Sequence, residues 1–208
     1  MRDPHTSRRE PLITYFLIGV NVIVFLLELM AINTEAFISQ YGLVAADFKI
    51  SSLISFQFLH GGFFHLLSNM WFLKIFGDNV EDKMGRVKFL IFYLLTGVIA
   101  GLSQLLFMGN SMVPMIGASG SVAGVMGAYF VFFPHHRIET LVPGPLFWHR
   151  LYLPASFVLL YWFITQLFAG AGSLVYLTAE MGGVAFIAHA GGFAAGWLIA
   201  RFARERLG

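Results

Sequence analysis

Residues 117–133 read GASGSVAGVMGAYFVFF: small residues first, aromatic residues last, and no charge. Counted from Ser119 the apolar run has 15 residues, about 22 Å of helix against a hydrocarbon core of about 30 Å. If this run crosses a membrane, its helix must begin below one surface. Ser119 is then predicted at the start of a sunken helix, with the unsatisfied first-turn amides aimed at a cavity. Two readings of the serine compete. Gly117, Gly120 and Gly124 have the small-residue spacing that lets membrane helices approach closely, and a hydroxyl at such a helix start is also well placed to be a nucleophile.

The rest of the chain calls for a membrane. Of 208 residues, 58% are hydrophobic and 12% charged, with a mean hydropathy of +0.75, which excludes an ordinary soluble domain. The lack of cysteine excludes disulfides, a thiol nucleophile and thiolate metal ligation. No cofactor, metal or nucleic-acid partner is expected; membrane lipid is. Six apolar runs, at 12–32, 58–76, 89–108, 119–133, 151–168 and 183–202, predict an all-α, polytopic six-span bundle. It forms one membrane domain over 12–203, with tails at 1–11 and 204–208. The long connection at 33–57 looks partly embedded at the interface, and a semi-apolar connection covers 169–182. The first ten residues are polar and the first run is too long for a cleavable signal, so it is expected to stay in the membrane. Twelve of the 13 Lys and Arg residues fall on one side, leaving Lys49 on the other. Both termini are therefore expected to be cytoplasmic, and a bacterial plasma membrane is the expected location.

Polar residues inside spans are costly and mark function when they converge. They concentrate in HGGFFHLLSN (60–69), GASGS (117–121) and IAHAGG (187–192). Ser119, His189 and His65 lie 14, 13 and 11 residues from the far ends of their runs at Phe133, Phe202 and Phe76, roughly 9, 10 and 13 Å below the opposite surface. His65 and Asn69, four residues apart, share a helix face and lean toward that same side. His189 is the best-placed base for Ser119, at the right depth and with a side chain suited to neutral pH. The eleven acidic residues lie in connections, in the tails and at Glu28, so a Ser–His pair without a carboxylate is the economical reading. Gly192 and Gly196 form a GxxxG packing face. His60 reads as interfacial, and His135, His136 and His149 as loop residues.

These pieces resemble the rhomboid family of intramembrane serine proteases. HLLSN (65–69) matches the family's HxxxN, GASG (117–120) its GxSG and AHAGGFAAG (188–196) its AHxxGxxxG, in order on the second, fourth and sixth spans; the stretch 58–97 is similar throughout. The resemblance implies Ser119 as nucleophile, His189 as base, and Asn69, His65 and the Ser119 amide as oxyanion donors. It also implies transmembrane proteins as substrates and a fifth loop capping a water-filled site. Two positions depart from the family. Ala123 stands where many members carry an aromatic residue under the histidine, and 33–57 has neither Trp nor Arg where many carry a Trp-Arg pair. His189 is thus expected to be loosely held, unless an aromatic residue from the second or fifth span fills the space. Ser103 and Gln104 are candidates for holding water. Two rival readings are a rhomboid-like protein that binds transmembrane helices without cutting them and a transporter, which needs polar groups through the full thickness.

Overall fold

Inside a bilayer the backbone must satisfy its own polar groups, which favours helices over the apolar runs. In chain order the elements are α1 (Leu12–Met30), α2 (Thr34–Tyr41), α3 (Ser52–Ser55), α4 (Phe63–Met84), α5 (Arg86–Met108), α6 (Ser119–Phe132), β1 (Arg137–Pro143), β2 (Trp148–Pro154), α7 (Ala155–Val175) and α8 (Phe186–Leu207). This computed structural model describes residues 1–208 except 2, 5, 6, 8, 144–147, 176–185 and 208, and describes 143, 166–175 and 205–207 by backbone alone. Among the described residues, Leu12–Met30, Arg86–Met108 and Phe186–Arg204 are long and apolar enough to cross a membrane, while Ser119–Phe132 and Ala155–Thr165 are shorter apolar helices. The protein is a mostly helical integral membrane protein.

A helix stands at each of the six expected runs, though among the described residues only three are long and apolar enough to cross a membrane, and several boundaries differ. The second helix continues past Phe76 to Met84, so Lys74 and Lys83 are on α4, and the turn into α5 is the single residue Gly85 at φ +81°. Charge ends an apolar run, whereas a helix needs only its own hydrogen bonds to continue. The fifth run was expected from 151; α7 begins instead at Ala155, and the residues before it form an antiparallel hairpin that pairs Ile138 with Leu153 and Thr140 with Leu151. The chain is therefore not purely α. The expected connection at 169–182 is helical as far as Val175. Its remainder, the start of the sixth run at 183–185, and Arg2 and Arg8 of the basic flank lie outside the described residues.

The short α6 is the centre of the bundle, with eleven of its fourteen residues buried. Its partner is α8. A Cβ built on Gly192 would run into the Gly120 carbonyl, one on Gly196 into the Gly124 carbonyl, and one on Gly127 into the Phe193 carbonyl. The two helices thus cross backbone to backbone, an approach that small residues alone permit.

At the end where the basic residues gather, polar side chains tie the helices together. The buried Glu81 carboxylate of α4 accepts from the Ile13 and Thr14 amides at 3.0 and 2.8 Å and from the Thr14 hydroxyl at 2.8 Å, capping α1 from a neighbouring helix. Asp3 accepts from the Tyr129 hydroxyl and from Asn79 Nδ2. Glu81→Ala is expected to lower stability by roughly 1.5–3 kcal/mol, the worth of hydrogen bonds to a charged group, with Glu81→Gln in between. Thermal unfolding in detergent checks this; an alanine variant as stable as the parent would show that the cap holds nothing.

Candidate active site

The segment before Ser119 is fixed by the first connection rather than by a Trp-Arg pair. Leu43 and Met115 exchange backbone hydrogen bonds at 3.0 and 2.9 Å, and the Gly117 amide donates to the Phe56 carbonyl at 2.9 Å. Gly117 has φ +128°, a conformation other residues rarely adopt. A Cβ built on it would fall 2.9 Å from His65 Cε1 and Nε2 and 3.6 Å from Ser119 Oγ. The imidazole of His65 and the hydroxyl of Ser119 therefore share the space over one glycine, which is a sharper reason for Gly117 than helix packing. The N-cap of α6 is Ala118, with no capping side chain, so no such group competes for the first-turn amides.

His189 stands in the first turns of α8. The carbonyl of Ala188 lies 3.9 Å from a Cβ built on Gly120, so the starts of α6 and α8 run side by side. Gln104 Oε1 accepts from the Ala188 amide at 3.2 Å, and the Ser103 side chain lies against Gly191. These two α5 residues, candidates for water retention, hold the first turns of α8.

The His189 ring is buried, with Trp162 of α7 beside it at 5.8 Å and tilted by 38°, and Phe186 edge-on at 6.3 Å. The expectation of a loosely held histidine is corrected. An aromatic residue of the fifth run supplies what position 123 lacks, and Ala123 itself is fully buried. Two results follow. Ala123→Phe should overpack the site and lower both kcat and thermal stability, the latter by about 1–3 kcal/mol. Trp162→Leu should lower any rate that depends on His189 up to about tenfold, since an aromatic pair is worth about 0.5–1.5 kcal/mol, with Trp162→Phe restoring much of it. Kinetics of the purified variants decide; a Trp162→Leu enzyme at parent kcat would show that the ring does not orient the histidine.

On α4, Asn69 sits one turn beyond His65 and is buried, and its Nδ2 has no hydrogen-bond partner among the described residues. A buried donor left open is costly and needs a reason. His60 is buried, its ring meets that of His65 edge-on at 5.1 Å, and its amide donates to the Glu28 carboxylate at 3.1 and 3.2 Å. Glu28 belongs to a different helix, so nothing local in the sequence signals this contact. Below the site, Ser121 donates to Gln57 Oε1 at 3.0 Å, and Gln57 Nε2 donates to the Leu53 carbonyl at 2.7 Å. His135 and His136 lie in the connection between α6 and β1, where His136 Nδ1 is 3.0 Å from the Tyr129 hydroxyl, whereas His149 is on β2 rather than in a loop. An open cleft of about 400 Å³ lined by Arg9, Glu10, Glu81, Asp82 and Arg86 is at the opposite end of the bundle and contains none of the site groups.

The model of the Rhomboid domain family matches residues 47–206. Among curated relatives, Rhomboid protein 1, mitochondrial, of Saccharomyces cerevisiae is 32% identical over 156 residues, covering 67% of this chain and 45% of that protein. A Bacillus subtilis protein provisionally named as the rhomboid protease YdcA is 32% identical over 92 residues, covering 44% of this chain and 46% of its own. Inactive RHOMBOID-like protein 8 of Arabidopsis thaliana is 30% identical over 80 residues, covering 38% and 22%. The chain spans less than half the length of each of these relatives.

Proposed function

The chain belongs to the rhomboid family, and from that membership we propose that it is an intramembrane serine endopeptidase that cuts transmembrane proteins in or near their membrane segments. In this reading His189 takes the proton of the Ser119 hydroxyl as Oγ bonds to a peptide carbonyl carbon. Asn69 Nδ2, the His65 ring and the Ser119 amide hold the resulting oxyanion. His189 then passes the proton to the leaving amine, and water, activated in the same way, releases the acyl group from Ser119. The observation that carries the reading is the meeting of the Ser119 hydroxyl and the His65 imidazole over Gly117, at the uncapped start of α6 and beside the first turns of α8 that bear His189.

The protein is read as lying in a bacterial plasma membrane with both termini cytoplasmic, by the positive-inside rule. The mitochondrial location in the yeast relative's name is that protein's own. A relative named as inactive supports a second reading, a protein that holds transmembrane helices without cutting them. A transport path is less well supported, because several buried polar groups deeper in the bundle donate to near partners: Asn21 Nδ2 to the Leu17 carbonyl at 2.7 Å, the Thr96 hydroxyl to the Tyr93 carbonyl at 3.1 Å, and the Ser121 hydroxyl to Gln57. Reaction of the purified protein with a fluorophosphonate, followed by peptide mapping, separates the readings. Label on Ser119 is expected; its absence from that residue sinks the protease reading.

A further inference from the structure

We propose that the outward face of the β1–β2 hairpin rests on the anionic lipid headgroups of the membrane at the basic end of the bundle. The hairpin connects the end of α6 to the start of α7, so it stands where those helices leave the hydrocarbon. Its register gives two faces. Ile138, fully buried, pairs with Leu153, which packs on the core, and these face the bundle; farther along the same side Thr140 pairs with Leu151, which at 43% exposed has already left it. The opposite face carries Arg137, Glu139 and Leu141 from β1 and Trp148, Arg150 and Tyr152 from β2. Among the described residues its apolar members are left largely uncovered: Leu141 is 52%, Trp148 68% and Tyr152 53% exposed.

The occupant is argued from chemistry and continuity. Indole and phenol rings beside guanidinium groups are the composition of a membrane–water interface, where each ring keeps one end in the apolar layer and one in the wet one. The face has two arginines against one carboxylate, Arg150 spanning to Glu139 at 3.2 Å, so it is net positive and complements an anionic leaflet. The exposed apolar surface does not stop at the hairpin. Immediately after β2, Phe157, Leu160, Tyr161 and Ile164 are exposed at helical spacing along one face of α7. In an integral membrane protein such a helix face is covered by acyl chains, and the hairpin continues it outward. The depth is fixed by the backbone: a two-stranded ribbon leaves edge amides and carbonyls unpaired, which hydrocarbon does not tolerate and the hydrated headgroup layer does.

The chain has no cysteine, so single nitroxide labels can be placed at Trp148→Cys and Tyr152→Cys, with Lys83→Cys as an exposed reference on α4. The full chain is reconstituted in phosphatidylcholine vesicles with and without phosphatidylglycerol, and collision rates with oxygen and with a soluble nickel chelate are compared. With phosphatidylglycerol present, the oxygen-to-nickel ratio should be several-fold higher at 148 and 152 than at 83. It should fall toward the reference value when Arg137→Gln and Arg150→Gln are combined or the anionic lipid is omitted. Equal ratios at all three positions would place the face in water, and labels shielded from both reagents would mean that a protein surface, a second copy included, covers it; either result overturns the proposal. If the 148 or 152 variant does not reconstitute, Leu141→Cys supplies another position on the same face.

Discussion

Ser119→Ala is expected to lower the rate of transmembrane-peptide cleavage by at least about 10³-fold, the scale seen when an acyl-transfer nucleophile is removed and only oxyanion stabilisation and binding remain. The fold should survive. Ser119 opens α6 without serving as its N-cap, alanine suits a helix better than serine, and the contacts that seat α6 belong to Gly120, Gly124 and Gly127. Fluorophosphonate labelling should vanish with the rate. The measurement pairs initial rates in proteoliposomes with a thermal unfolding curve for each variant. Full cleavage by a folded alanine variant would remove Ser119 from the chemistry and return it to helix packing.

The parts of this arrangement that were legible in the sequence are those where polarity breaks an apolar background. Ser119, His65, Asn69 and His189 stand out because a membrane span has few reasons to carry them, and counting residues placed them at one level. The start of α6 at Ser119 was legible as the start of an uncharged run of 15 residues. What was not legible depends on which distant elements meet. Trp162 is one aromatic residue among many on its span, and only the placement of α7 against α8 sets it beside His189. Glu28 on α1 and His60 in the connection before α4 are 32 residues apart, and a carboxylate reaching a backbone amide has no sequence pattern. The hairpin escaped for a local reason. Its second strand, WHRLYLP, has apolar side chains on both faces, so the period of two that marks a half-buried strand is blurred and the run merges with the helix after it.

Asn69 gives the other large effect, because its two readings predict opposite balances of activity and stability. As an oxyanion donor it contributes only when charge develops on the carbonyl oxygen, so Asn69→Ala should lower kcat by about 10²–10³-fold, roughly 2.7–4 kcal/mol of transition-state stabilisation, with KM little changed. As an interhelical lock it would add about 0.6 kcal/mol of stability, the average for such contacts in a membrane, and nothing to the rate. Its Nδ2 is buried without a partner among the described residues, so truncation removes an unsatisfied donor rather than an existing bond, and stability should stay the same or rise once the lost volume is allowed for. Asn69→Leu separates donor from volume: it fills the space, cannot donate, and should be as slow as the alanine variant while unfolding no earlier than the parent. The two variants are compared by kcat, KM and thermal midpoint. A fast Asn69→Leu enzyme would show that volume is what the site needs, and an alanine variant with near-parent kcat and a lowered midpoint would make Asn69 a structural residue.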